Sequence, residues 1–382
     1  MILGVTPEQE ELRASVRRFL ADRAPISAVR ELMETADGLD PSVWRQAGEQ
    51  LGLQAIAIPE QYGGAGFSFA EQAIVLEELG AALYGGPYLA SAVLAANALL
   101  ASPDEDARKE YLPGIATGEV IATLAFTEED GSWEPDAIRL TATRRGDDLP
   151  NPPHNPREGW RLDGRKSFVL DGHTAGLIFV VARTGEELSL FAVPADESGL
   201  TRTALPTLDQ TRKLARLDFA ATPARLIGSV GDGAAVLSRT LDIAAIAQAA
   251  EQLGGAQRAL TMAVEYLKVR HQFGRPIGSF QALKHRCADL LLEVESLRSA
   301  VQYAAAAVAE DSAEIPMVAS LVKAYASDVY FHVAAENIQL HGGIGFTWEH
   351  DAHLYFKRAK ASELFLGDAR YHREHLATRI GL

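Results

Sequence analysis

From residue 6 to 22 apolar positions recur at helical spacing, with Glu8, Glu10 and Glu11 early and Arg17 and Arg18 late. That order of charge suits a helix dipole, so the stretch reads as a helix. The same periodicity predicts helices over about Pro41–Leu51, 69–82 and 88–101. Another starts near Asp104 and takes in Lys109 to Leu112. Between these, Ile56 to Gly66 carries Pro59, Gly63, Gly64 and Gly66 and reads as a loop. Residues 1–119 are therefore expected to form an N-terminal helical domain.

At Val120 the period changes. Val120–Phe126, Gly159–Leu170, Leu177–Ala182 and Leu188–Val193 are short strand-like runs split by Gly, Asp and Pro clusters. Residues 120–230 are expected to be a small antiparallel β domain. Within them Gly146–Pro156, with Pro150, Pro152, Pro153 and Pro156, reads as a polar loop that is expected to be mobile. From Ala234 helical spacing returns. One long segment leads to Arg270, and others cover about 279–309, Ile315–His341 and 350–378, the last expected as a single amphipathic element. Short joints between long helices predict an antiparallel four-helix bundle over 231–382. The fold class is α+β and multidomain.

A chain of 382 residues is too long for one small core, which agrees with two or three domains. A net charge of −15 argues against a nucleic-acid partner, which would need a basic face. The single cysteine, Cys287, excludes a disulfide framework and a Cys-based zinc site and reads as a small buried apolar residue. Met1 to Gly4 has neither the basic region nor the apolar run of a signal peptide. The most apolar segment, Tyr88–Ala101, is too short to span a bilayer and carries Asn97. The expected location is the cytoplasm, with no membrane span.

Two stretches could carry chemistry. The first is the joint around Gly274-Arg275-Pro276 and Gly278, where a helix must stop. Arg270, Gln272 and Phe273 are expected on the last turn before it. Arg offers a planar fork for a pyrophosphate and Phe a face for a ring system, but an Arg that caps its own helix is also common. The second is Gln339-Leu340-His341-Gly342-Gly343-Ile344-Gly345-Phe346, where glycines would let backbone amides approach an anion. A plain helix stop would look the same. His341, Glu349, His350, Asp351 and His353 follow no usual metal-ligand spacing, so no metal is expected.

Taken together, Arg270-x-Gln272-Phe273-Gly274-x-Pro276-Ile277 with Phe280-Gln281, and Gln339-x-x-Gly342-Gly343-x-Gly345-Phe346, closely resemble the acyl-CoA dehydrogenase family. Pro59-Glu60-Gln61-Tyr62-Gly63-Gly64-Ala65-Gly66 resembles the Pro-Glu-x-Tyr-Gly-Gly-x-Gly loop of that family. The order helical domain, β domain, helical bundle matches the family over nearly the whole chain. The resemblance implies an FAD enzyme that dehydrogenates acyl-CoA thioesters in fatty acid or sterol catabolism, with an electron-transfer flavoprotein as acceptor. It also implies that Arg270, Gln272, Phe273, Gln281, Gln339, Gly342 and Gly343 reach the FAD of a neighbouring subunit. Thr127 and Phe168 match positions on the subunit's own flavin, but the match is imperfect. The segment Thr127-Glu128-Glu129-Asp130-Gly131-Ser132-Trp133 is shorter than the family's and lacks its Pro. Leu170 stands where the family carries a Thr hydroxyl.

The family reaction needs a carboxylate base with a raised pKa. Its usual position corresponds to Leu366 and its alternative position to Ala244, and neither can take a proton. Three readings follow. The first is a homotetrameric dehydrogenase with a displaced base, for which Asp368, Glu363 and Asp242 are candidates. The second is a non-catalytic subunit completing the FAD site of a homologous base-bearing subunit. That reading resembles the two-gene α2β2 dehydrogenases of actinobacterial sterol side-chain breakdown. The third is a flavin-free structural relative. The second is expected, because the groups that reach across an interface are kept while those lining the chain's own site are changed.

Overall fold

The structure, a computed structural model, describes residues 5–144 and 157–382. The readings of Met1 to Gly4 and of the Gly146–Pro156 loop lie outside the described residues. Helices α1 (Pro7–Arg23), α2 (Ile26–Met33), α3 (Pro41–Leu51), α4 (Phe69–Ala81), α5 (Ala96–Ala101) and α6 (Glu105–Thr117) come first. Strands follow: β1 (Ala122–Ala125), β2 (Thr141–Arg144), β3 (Trp160–Leu170), β4 (Leu177–Thr184), β5 (Glu187–Pro194), β6 (Leu200–Leu205) and β7 (Leu214–Ile227). Then come α7 (Gly233–Val269), the short hairpin β8 (His271–Gln272) and β9 (Arg275–Pro276), α8 (Gln281–Ala309), α9 (Ile315–His341), α10 (Ala352–Leu364) and α11 (Ala369–Arg379).

Local signals account for most helix ends. Thr6 and Ser68 form capping boxes with Gln9 and Glu71, while Asp40 and Asp104 cap α3 and α6 through their carboxylates. Residues Leu89–Ala95, leading into α5, are wound as a π-helix rather than the regular helix that periodicity suggests. Helix α2 was not expected, because eight residues carry too short a periodic signal. Strands β2, β6 and β7 were also not expected. The β6 pattern alternates only weakly and its residues remain largely exposed.

The chain divides into two compact units that cut across the linear boundaries at 119 and 230. One comprises Leu32–Phe67 and Gly85–Ala244. Its described residues form a seven-stranded sheet in which β4, β2, β3, β7 and β5 pair in a closed ring, with β1 on β4 and β6 on β7. Most pairings are antiparallel as expected, but β1 runs parallel to β4, and β2 meets β4 in parallel at Thr141 and Arg183. Leu162, Ile178, Val180, Phe191, Ala215 and Leu217 fill its core.

The other unit comprises Met1–Glu31, Ser68–Tyr84 and Ala245–Leu382. Here α4 joins the bundle, because its whole length from Ala73 to Gly80 is buried. The crossing of α4 with α7 is very close. A Cβ on Gly254 would lie 1.7 Å from the Glu77 carbonyl oxygen, and one on Gly80 would lie 2.0 Å from the Glu251 carbonyl oxygen. The last amphipathic segment is two helices, not one. It breaks at Phe365–Asp368, where Leu366 and Gly367 take φ of 61° and 96°.

Gly254→Ala is expected to destabilise the protein by about 3 kcal/mol or more, because the added methyl meets rigid backbone rather than a movable side chain. Gly343→Ala is the control, since a Cβ there meets nothing within 4 Å. Urea unfolding of the two variants checks this, and equal midpoints would refute the crossing as drawn.

Candidate active site

One end of the bundle carries most of the residues singled out from the sequence. Helix α7 stops at Val269, where the Arg270 N–H still bonds to the Tyr266 carbonyl. Gln272 and Phe273 do not continue that helix, as had been expected. His271 and Gln272 pair with Pro276 and Arg275 in a two-stranded hairpin. Its two turn residues, Phe273 and Gly274, have φ of 53° and 76°, the geometry of a type I′ turn. Gly is suited to this and Phe is not, so Phe273 is held under backbone strain. Its ring is also 90% exposed. Arg275 lies over the Phe280 ring at 4.1 Å, and Phe280 meets Phe273 edge-on at 6.1 Å, which braces the hairpin.

The glycine motif sits beside this corner. Tyr266 of α7 stacks on His341 of α9 at 4.4 Å, and His341 stacks in turn on His350 at 4.2 Å. His341 directly precedes Gly342, so the stack places both motifs at the same end of the bundle. Burial pushes the His341, His350 and His353 imidazoles below the ordinary histidine range. Gly342 takes φ 64° and ψ −143°, a conformation close to glycine-only. A Cβ on Gly342 or Gly343 would meet nothing, so an incoming group can approach this backbone closely. Arg270, Gln272, Gln281 and Gln339 are exposed, and among the described residues Arg270 has no ion-pair partner. An unpaired guanidinium, exposed amides and open glycine backbone are donors suited to a diphosphate, so these residues fit the ADP portion of FAD.

The loop at Leu366, expected from the sequence to match the family's base position, is buried. Leu366 is 4% exposed. The His372 Nε2–H donates to the Leu366 carbonyl at 2.8 Å. Lys323, fully buried on α9, donates to the carbonyls of Gly367 (3.1 Å), Ser362 (3.0 Å) and Glu363 (3.3 Å) and to Ser327 Oγ (2.9 Å). Ser362 and Glu363 lie in the last turn of α10 and Gly367 just beyond it, so a lysine from another helix supplies donors the chain lacks there. Asp368 is the N-cap of α11, its Oδ1 accepting from the Tyr371 N–H at 2.8 Å. Glu363 pairs with Lys360 through both oxygens at 3.0 Å. The alternative base position, Ala244, is fully buried in α7, and Asp242 is buried with polar interactions of its own.

In the β unit, Thr127 and Phe168 come together. The Thr127 Oγ1–H donates to the Ser167 carbonyl at 2.8 Å, and the Ser167 N–H returns a bond to the Thr127 carbonyl at 3.0 Å. Phe168, with φ of 58°, lies in a β3 bulge between Lys166 and Val169 and remains partly exposed. Leu170 is buried, and its carbonyl accepts from Thr123 Oγ1. Glu128 Oε1 gathers the N–H groups of Arg139 and Leu140 and the Nζ of Lys166, each at 2.8 Å. Lys166 is buried, and desolvation lowers its pKa to about 8.

Sequence reading missed Lys323, His372 and Lys166. A lone Lys inside an apolar helix, as in Leu321-Val322-Lys323-Ala324, was the only available signal, since charged residues are rarely buried without a partner.

Known proteins place this architecture among flavoenzymes acting on CoA thioesters. The model of the acyl-CoA dehydrogenase N-terminal domain matches residues 6–119, and that of the C-terminal domain matches 231–381. The chain belongs to the acyl-CoA dehydrogenase family. Acyl-CoA dehydrogenase IpdE2 of Mycolicibacterium smegmatis is 37% identical over 98% of this chain and 100% of its own length. IpdE2 of Mycobacterium tuberculosis is 38% identical over 96% of each. A chain of the solved ChsE4-ChsE5 complex from Mycobacterium tuberculosis is 30% identical with a TM-score of 0.88, covering 100% of this chain and 99% of that one. The expected fold, a helical N-terminal region, central β region and helical C-terminal domain, is that of this family. No helix among the described residues is long and apolar enough to cross a membrane.

The buried His372 gives a pH test. Desolvation, aided by Lys323, lowers its pKa to about 3 from the ordinary 6.5. Between those values the unfolded chain holds a proton that the folded chain does not, so stability falls as pH drops from about 6.5 toward 3. The slope from this one group is at most about 1.4 kcal/mol per pH unit. His372→Gln keeps an N–H for the Leu366 carbonyl and removes the titration. Urea midpoints from pH 7 to 4 should fall less steeply in the variant than in wild type, and parallel curves would contradict the assignment.

Proposed function

We propose that this chain is the non-catalytic subunit of a hetero-oligomeric acyl-CoA dehydrogenase, completing the FAD site of a homologous base-bearing subunit. The observation that carries the reading is the contrast between the two ends of its chemistry. Leu366 and Ala244 occupy both base positions and cannot take a proton, whereas Arg270, Gln272, Phe273, Gln281 and Gln339 stand exposed around an open glycine backbone. A strained, exposed Phe273 costs free energy in the isolated chain, which fits a group that is covered only on assembly.

In this reading FAD, when bound, supplies the hydride acceptor. Arg270 neutralises diphosphate charge, Gly342 and Gly343 admit close approach, and Gln272, Gln281 and Gln339 offer amide hydrogen bonds. The substrate is an acyl-CoA thioester, the electron acceptor an electron-transfer flavoprotein, and the setting cytoplasmic lipid catabolism. Relatives support the assembly: one matched chain belongs to the ChsE4-ChsE5 complex, and another to the Tcur3481-Tcur3483 steroid ACAD, 31% identical with a TM-score of 0.86. The displaced-base alternative gains nothing from Asp368, whose carboxylate caps α11, or from Glu363, which is paired with Lys360.

Arg270→Ala should lower FAD retention about tenfold or more in the assembled complex, with the subunit still folded, because a charge-assisted phosphate contact is lost. Flavin absorbance after serial dilution and dialysis reads this, and unchanged retention would count against the corner as an FAD contact.

The chain purified alone should not bleach flavin on anaerobic titration with acyl-CoA thioesters, and Leu366→Glu should not restore the reaction. A carboxylate at 366 would lie next to Gly367, whose carbonyl holds Lys323. A nearby ammonium favours the ionised carboxylate and opposes the raised pKa that the base needs. The complex with its base-bearing partner should hold one FAD per two chains. A yellow homo-oligomer with one FAD per chain that bleaches on substrate would reject the proposal in favour of a displaced base.

A further inference from the structure

Of residues 342–349, which follow α9, only Gly345 is buried. The segment contains Gly342 and Gly343 and exposes Ile344, Phe346 and Trp348. Trp348 touches Lys357 and His353, yet little buried packing holds the segment down. His350 closes it. Its ring lies against His341 at 4.2 Å, and its Nδ1 accepts the N–H of Ala352, the first residue of α10, at 3.1 Å. Asp351 is the N-cap of that helix, but its side chain makes no cap bond. Its carboxylate is paired instead with Arg30 of α2, at 2.7 Å. An imidazole therefore satisfies the free N–H at the start of α10.

An acceptor nitrogen carries no proton, so His350 is uncharged in this arrangement, with its one N–H at Nε2. The two stacked rings differ in what a second proton does. The His341 Nδ1–H donates to the Asn337 carbonyl at 2.8 Å, so His341 gains a proton at Nε2 and keeps that bond. His350 gains one only at Nδ1, the atom that holds the Ala352 N–H. Two N–H groups then face each other, and a cation stands at the positive end of the α10 dipole. We propose that His350 is an acid-sensitive latch: uncharged, it pins the Gly342–Glu349 segment to the start of α10, and a proton on Nδ1 releases that segment and weakens the hold on flavin. The charged and titratable groups around it come from α2, α7, α9 and α10. Asp351 favours the imidazolium, while Arg30 opposes it and already holds that carboxylate. A charge on His350 opposes one on His341, on which Tyr266 of α7 stacks. His353 in the first turn of α10 faces His350, and Lys357 acts on His353. Burial is the largest influence on His350 and sets its titration below the ordinary 6.5. With the folded value below the unfolded one, the latch is closed above about pH 6.5 and opens as pH falls. The inference rests on the reading of Gly342 and Gly343 as flavin contacts.

The test uses the full chain as purified, together with any partner that accompanies it. Wild type is compared with His350→Asn and His350→Ala at two acidities, roughly one pH unit above and one below the ordinary histidine value. Asn offers a carbonyl oxygen that accepts an N–H two residues on and does not titrate, whereas Ala offers no acceptor. Hydrogen exchange in peptides covering 342–352 reads the latch, and comparing proteins at one pH cancels the pH dependence of exchange itself. Flavin kept through dialysis reads the consequence. On the alkaline side wild type and the Asn variant should match. On the acid side wild type should exchange faster than the Asn variant and hold flavin about fivefold less well, the loss of one helix cap expressed as a ratio. The Ala variant should resemble acid wild type under both conditions. His350→Ser, with a hydroxyl acceptor, stands in if the Asn variant fails to fold. Equal acid responses in wild type and the Asn variant would overturn the assignment. So would an Ala variant as protected as wild type on the alkaline side, or exchange that follows the latch while flavin retention does not. Arg270→Ala on the alkaline side keeps the two readings apart. If that variant holds flavin as wild type does, the corner is not a flavin contact, whatever the exchange at His350 shows.

Discussion

The arrangement depends on one helix crossing. Helix α4 carries Glu77-Glu78-Leu79-Gly80 and α7 carries Glu251-Gln252-Leu253-Gly254, the same Glu-x-Leu-Gly pattern on both partners. Each Gly receives the carbonyl of the other helix's Glu at a distance that no side chain could survive. The two Glu side chains then fasten the crossing to its surroundings. Glu77 binds Arg13 of α1 at 2.8 Å and Arg298 of α8 at 2.6 Å, and Glu251 binds Arg358 of α10 at 2.7 Å. Buried ion pairs of this kind add little net stability over apolar packing, but removing one partner is expensive. They specify which helices meet.

With α7 held in this way, its far end is a fixed platform. The Tyr266–His341 stack ties that end to α9, and the Phe273 corner and Gly342-Gly343 backbone project from a rigid base. Functional groups on regular elements are positioned more accurately than groups on loops. The strain at Phe273 is kept because the hairpin and the Arg275–Phe280 contact leave the turn no other geometry.

The loop at Leu366 is held from two sides by buried side chains. Leu366 is buried, its carbonyl is held by His372, and the carbonyl of its neighbour Gly367 is held by Lys323. A buried imidazole kept neutral and a buried lysine bonded to backbone carbonyls fix the path of the chain between α10 and α11. In the β unit, by contrast, Thr127, Glu128 and Phe168 remain well supported despite the altered sequence around them.

The sequence by itself determined the order of helical and β segments, the ends of α3 and α9, and the family to which the chain belongs. Periodicity, caps, glycines and residue identity are local properties, and they sit within a few residues of one another. Tertiary structure decided what distance along the chain conceals. It moved α4 into the bundle, since only the Gly80–Gly254 approach shows where that helix packs. It turned Gln272 and Phe273 into a hairpin rather than a helix turn, and it divided 350–378 at Leu366. It also assigned Asp368 to a helix cap and Lys323 to a carbonyl cluster 44 residues away at Gly367. A carboxylate or an ammonium reads the same in any sequence, and its role is set by the partners that folding brings within about 3 Å of it.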